Sequence, residues 1–200
     1  KGAHVEAALC LGPLLVATSI ADVGIQLPDS LAARWNGIED AIQSVLQGAA
    51  SSGSSSGPSA ALKSRENDLI ALALFWKSEG NKALQATKLS KAVQLYQCGA
   101  DLLDEVACAE CPIACRVLAD LENNTAEVHL RARNFGEAAE AASAALDALS
   151  DIAASSMQVS DPQLGNIDVV EAKALFRRGR AIAAQGDLAS AQQDFLHALQ

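Results

Sequence analysis

Three times along this 200-residue chain a short polar turn leads into a large apolar residue, with an alanine three positions later. The pairs are Leu89 and Ala92, Phe135 and Ala138, and Leu188 and Ala191. Four residues past each alanine stands Tyr96, Ala142 or Phe195. Upstream of each turn a further small residue holds the matching place: Gly80, Ala126 and Gly179. Spacings of three and four belong to one face of a helix. A glycine in an exposed helix costs roughly 1 kcal/mol against alanine. Gly80, in the stretch WKSEGNKAL (76–84), therefore has to be required by something. A second helix crossing where no Cβ fits supplies that requirement. The pattern predicts three helical hairpins, at 76–96, 122–146 and 174–199.

Composition agrees with an all-α fold. Half of the residues are apolar, yet only 4% are aromatic and alanine is abundant, while strand formers are sparse. The repeats are uneven: Ala92 to Ala138 spans 46 residues and Ala138 to Ala191 spans 53. The first extra length reads as a long second helix through CGADLLDEVACAEC (98–111), the second (150–168) as a turn-rich loop. Ahead of the hairpins, residues 48–62 form a Gly/Ser-rich linker without periodicity. Residues 1–47 are an N-terminal helical segment in which 27–47 is amphipathic, with Asp29 or Ser30 as cap. It holds too little apolar surface for its own core, so it is expected to pack on a partner or on the block at 63–200.

The hairpins resemble the tetratricopeptide repeat, whose two antiparallel helices pack through small residues at fixed positions. That resemblance covers about 130 residues and implies a right-handed α-α superhelix of three repeats. The lengthened junctions resemble three-repeat domains of immunophilin-like co-chaperones. Within the family one subgroup grips the terminal Glu-Glu-Val-Asp of the seventy- and ninety-kilodalton heat-shock chaperones in a carboxylate clamp. Its motif is matched here by Lys77 and Asn81 around Gly80, by Asn124 ahead of Ala126, and by Lys173 and Arg177 ahead of Gly179. The resemblance implies that these five residues bind peptide, with Leu84 contacting the ligand's valine. The physics is consistent with this, because residues four apart share a helix face and a carboxylate needs converging donors.

Two departures stand out. Glu127 lies three residues after Asn124, where an acid either repels an acidic peptide or pairs with a groove cation. The second repeat is weak, with His129 and Ala142 in place of aromatics and Arg133-Asn134 in place of the turn glycine. Arg178 and Arg180 either add charge near the groove or face solvent.

The remaining features carry less. Cys108, Cys111 and Cys115 have metal-like spacing but no evident fourth ligand, so packing on one helix face is the preferred reading; alternatively Pro112 starts a helix here. The odd total of five cysteines suits a reducing compartment, and the implied localisation is cytoplasmic. Residues 7–21 are apolar but broken by Gly12-Pro13 and too short to span a bilayer, though they faintly resemble a secretory core segment. Asn123-Asn124-Thr125 matters as a glycosylation acceptor only in a secreted chain. The net charge of −9 argues against general nucleic-acid binding. No nucleophile signature or phosphate-binding glycine loop occurs, and no cofactor or metal is expected.

The favoured expectation is a non-catalytic co-chaperone adaptor, with a client or further partner on the N-terminal segment. The alternatives are a scaffold subunit binding a helix in its groove, or the non-catalytic remnant of an immunophilin. Lys1 in place of methionine, and arrays of this kind ending in a capping helix, lead one to expect a longer natural protein.

Overall fold

The structure, a computed structural model, describes residues 25–38, 40, 65–104, 111–154 and 164–200. The linker at 48–62 lies outside them, as do the N-terminal apolar run and Cys108. The described residues form seven helices and no strand. Helix α1 covers 29–38. Then come α2 (Glu66–Gln85), α3 (Leu89–Asp104), α4 (Pro112–Ala132), α5 (Phe135–Ala154), α6 (Ile167–Gln185) and α7 (Leu188–His197).

The last six helices are three antiparallel hairpins, and each is closed by the same turn. Thr87, Arg133 and Gly186 all take positive φ, at 58°, 64° and 100°. The N–H of each donates to the carbonyl three residues back, on Leu84, Leu130 and Ala183. The next N–H, of Lys88, Asn134 or Asp187, reaches the carbonyl five residues back, at 2.9 to 3.2 Å. This paired arrangement satisfies carbonyls that a helix end leaves open. Two residues after each left-handed position the next helix begins with Leu89, Phe135 or Leu188. Ala92, Ala138 and Ala191 follow and are buried.

The crossings are tight where the small residues stand. A Cβ built on Gly80 would lie 2.6 Å from Tyr96 Cδ1 and closer still to Cε1. One built on Gly179 would lie 2.8 Å from Phe195 Cε1. In the middle hairpin Ala126 and Ala142 are both fully buried and pack together. The hairpins stack in chain order, α3 on α4 and α5 on α6, with α2, α4 and α6 side by side.

One core runs through the first two hairpins, built on Trp76, Tyr96, Leu72, Leu103, Leu121 and Ile152. Trp35 and Ile38 of α1 belong to it, with Ile25, Leu27 and Leu31 packed against it. The N-terminal helix thus packs on the hairpin block rather than waiting for a partner. Arg34 adds a 3.2 Å ion pair to Asp68 of α2.

Four local expectations are corrected. The second helix of hairpin one does not run through 98–111, because Cys111 is extended (φ −126°, ψ 96°) and Pro112 opens α4. A residue before proline is pushed out of the helical region, and proline suits the first helical position. The cysteines therefore do not share one helix face: Cys111 caps α4, its sulfur accepting from the Ala114 N–H at 3.4 Å, while Cys115 lies inside the helix. The supposed loop at 150–168 is helical as far as Ala154 and again from Ile167. Helix α1 begins at Asp29 itself, with the Pro28 carbonyl accepting from Leu31 and Ala32, so neither Asp29 nor Ser30 is its cap.

Gly80→Ala should lower stability in urea unfolding by about 2 kcal/mol, since the Tyr96 ring is buried and cannot retreat. Gly179→Ala should cost less, because Phe195 is only partly buried. In contrast, Arg133→Gly should raise the unfolding free energy by about 0.5 kcal/mol, relief of the left-handed backbone outweighing the entropy of glycine. An Arg133→Gly midpoint below wild type would contradict the turn's strain.

Candidate functional site

Helix α4 lies between α2 and α6 and carries the site. Along it Arg116, Asp120, Asn124, Glu127 and Arg131 recur every three or four residues and so share one stripe. Two acids alternate there with cations and an amide, and each reaches a neighbouring helix.

At the α2 side, Lys77 Nζ donates to Asp120 Oδ2 at 2.6 Å and Arg116 Nη1 donates to the same oxygen at 3.2 Å. One turn along, Asn81 Oδ1 accepts from Tyr96 Oη at 2.8 Å and from Asn124 Nδ2 at 3.2 Å. Burial pushes the Tyr96 hydroxyl up to about 12, so it stays a donor over the whole working pH range. At the α6 side, Arg177 Nη1 donates to Asn123 Oδ1 at 3.2 Å and its Nε to Glu127 Oε2 at 3.4 Å. Arg131 Nε donates to Glu127 Oε1 at 2.8 Å, and Arg180 Nη1 stands 4.0 Å from Oε2. Asn123 is 2% exposed and its amide nitrogen donates to the Val170 carbonyl at 3.2 Å, tying α4 to the backbone of α6.

Lys77, Asn81, Asn124 and Arg177 are thus linked into one polar band across three helices. Lys173 is not part of it. It is exposed and lines an apolar hollow of about 440 Å3 with Val169, Phe176, Phe195 and Leu199. Leu84 is partly buried and packs against the main core. Arg178 is also outside the band, holding Asp194 of α7 through two bonds of 2.7 and 2.9 Å that clasp the third hairpin.

Sequence reasoning missed Asp120 and Asn123. Asp120 lies four residues before Asn124, hence on its face. Asn123 is reached by moving 46 residues from Lys77, the offset separating Ala92 from Ala138. Helix spacing could have placed Asp120 and the repeat register Asn123, although neither names the partner on the other helix. Among the described residues no group of three or more histidine, cysteine or acidic side chains is placed to hold a metal. No described helix is long and apolar enough to cross a membrane.

Electrostatics fix the state of Glu127. Burial by itself raises its pKa, but the Arg131 hydrogen bond and the charges of Arg177, Arg131 and Arg180 outweigh it and hold the carboxyl below the usual glutamate value of 4.5. Burial pulls the Arg177 guanidinium the other way, downward, while Glu127 restores part of the loss. Glu127 is therefore ionised, and its partners are committed to it.

In comparisons with known proteins, no family model matches the chain, no curated protein matches its sequence and no solved structure matches its fold. Fold and site define the class in physical terms: stacked helical hairpins bearing a band of amides and paired charges.

A carboxyl whose folded pKa is depressed stabilises the fold above the unfolded value and loses that contribution as pH falls through the folded one. Wild-type melting temperature should decline on acidification below about pH 4.5. Glu127→Gln should be less stable at neutral pH and should show a shallower acid decline. Parallel curves for the two proteins would show that the arginines contribute nothing through Glu127.

Proposed function

We propose that this chain is a non-catalytic adaptor that grips an acidic C-terminal peptide on the band formed by α2, α4 and α6. The observation that carries this reading is that Lys77, Asn81, Asn124 and Arg177, from three separate helices, all bond along the polar stripe of α4. A terminal carboxylate is bound well by several charge-assisted and amide donors at once, and its capture is a recurring mode of peptide recognition. The Glu-Glu-Val-Asp tail of the cytosolic heat-shock chaperones has the required chemistry, and the protein would then work in the cytoplasm as a co-chaperone. Support for a tetratricopeptide-like right-handed stack comes from the three alike hairpins and their small-residue crossings. In this reading the parts of 1–47 beyond α1's buried face are left for a client or further partner. Leu84 and Lys173 take a smaller part than the motif assigns them.

One observation favours a second reading. Lys77 and Arg177 are already engaged by Asp120 and Glu127. A scaffold subunit would use such pairs as permanent clasps between hairpins and bind a helix through apolar anchors instead.

The readings part on a labelled peptide ending in Met-Glu-Glu-Val-Asp. The adaptor should bind it with micromolar affinity, and amidation of the terminus should weaken binding about tenfold. Arg177→Ala and Lys77→Ala should weaken it comparably, and Lys173→Ala much less. Unchanged binding of the amide would remove the carboxylate grip and leave the scaffold.

A further inference from the structure

The ion pairs on α4 have a consequence for what the band admits. Asp120 engages Lys77 and Arg116, and Glu127 engages Arg131 and Arg177 with Arg180 at its edge. Every cation that α2 or α6 contributes to the band thus already faces a carboxylate belonging to α4. These carboxylates stand where a bound anion would take the same donors. Their side chains are about one-fifth exposed, 22% for Asp120 and 20% for Glu127, so neither is sealed away from an incoming group.

We infer that Asp120 and Glu127 are built-in occupants of the peptide band, and that a ligand enters by exchanging its own carboxylates for theirs. The inference rests on the adaptor reading above and sharpens it into a rule for the ligand. An incoming peptide with a single acid recovers only half of what it displaces. Seven residues separate Asp120 from Glu127, two helical turns or about 10 Å of axis. An extended peptide covers that length in about three residues. The ligand class is therefore an extended acidic peptide carrying two carboxylate groups about three residues apart. Peptides that are neutral, or acidic at one point only, leave one pair of internal charges separated and unpaid by any new contact.

Exchange also explains how a chain with net charge −9 tolerates an acidic ligand. The band's own acids give up their cations to the peptide, and being partly exposed they regain water when they do. Binding then creates few ion pairs that were not present before, so its salt dependence is shallow in the wild type. Removing one internal acid turns exchange into net pair formation, which salt screens more strongly.

The test uses the whole chain with the labelled Met-Glu-Glu-Val-Asp peptide, titrated at low and high salt. Glu127→Gln and Asp120→Asn, made separately, should each tighten binding about tenfold and steepen its salt dependence. Replacing the peptide's acid three residues before the terminus by glutamine should weaken wild-type binding about tenfold. Circular dichroism establishes that each variant is folded, and the two variants are independent should one of them fail to fold. A second readout is melting in sodium sulfate, which should stabilise Glu127→Gln more than wild type because its arginines are free for an anion. If wild type and folded variants bind equally well, the exchange is overturned and the adaptor reading stands. If no protein binds, including both folded variants, the exchange and the adaptor reading fall together.

Discussion

The close crossing of the two helices in each hairpin is the constraint from which the remaining architecture follows. In every hairpin the residue facing the crossing is followed sixteen positions later by its complement: Gly80 and Tyr96, Ala126 and Ala142, Gly179 and Phe195. The outer hairpins solve the crossing with no side chain against a ring, the middle one with a methyl against a methyl. The middle contact is much the smaller in volume, but in all three one small residue lets the helices approach closely. Close-packed interiors penalise even a single unmatched methylene, so each crossing is specific to its own pair. The turns follow from the same crossing, because an antiparallel partner two or three residues away requires the chain to reverse through one left-handed residue. Only the third hairpin places glycine there; Thr87 and Arg133 hold the same conformation against their preference.

Helix α4 owes its role to its middle place in the stack. Facing α2 on one side and α6 on the other, it cannot bury both flanks in apolar contacts and still present a polar stripe. The stripe is therefore made of groups that pair sideways, Asp120 toward α2 and Glu127 toward α6. Asn123 joins the backbone of α6 directly through the Val170 carbonyl. On the adaptor reading proposed above, stability and recognition are written in the same side chains. A substitution on this stripe changes how the hairpins hold each other, and on that reading also what the band binds.

Much of this arrangement was legible in the sequence, and the reason is locality. Helix faces, small crossing residues and the i, i+4 placement of Lys77 and Asn81 on one face depend on spacings within a few turns. The repeat offset then carries the register from one hairpin to the next, and it places Asn124 and Arg177 along one stripe of neighbouring helices. What was not legible depends on contacts between distant segments. Asp120 and Lys77 are 43 residues apart and Asn123 and Arg177 are 54 apart, so nothing local marks them as partners. Lys173 shows the limit of the four-residue rule. At the end of the stack Lys173 lines the apolar hollow with Val169 and Phe176, while Arg177 turns to Asn123 and Glu127 of α4. Pro112 was the informative residue at the first junction, and it overrode the helix-forming composition before it.

The ring that fills the space above Gly80 also decides the orientation of an amide. Tyr96 donates its hydroxyl hydrogen to Asn81 Oδ1, and Asn124 donates to the same oxygen from the neighbouring hairpin. A carbonyl oxygen has two lone pairs, and both are spoken for. The side-chain NH2 of Asn81 is then all that this residue can offer outward. On the proposed adaptor reading, the centre of the band therefore favours a carbonyl or carboxylate over a group that seeks an acceptor from Asn81. A glycine chosen for lack of volume in one helix thereby decides, through the tyrosine it admits, which end of a neighbouring amide is already taken.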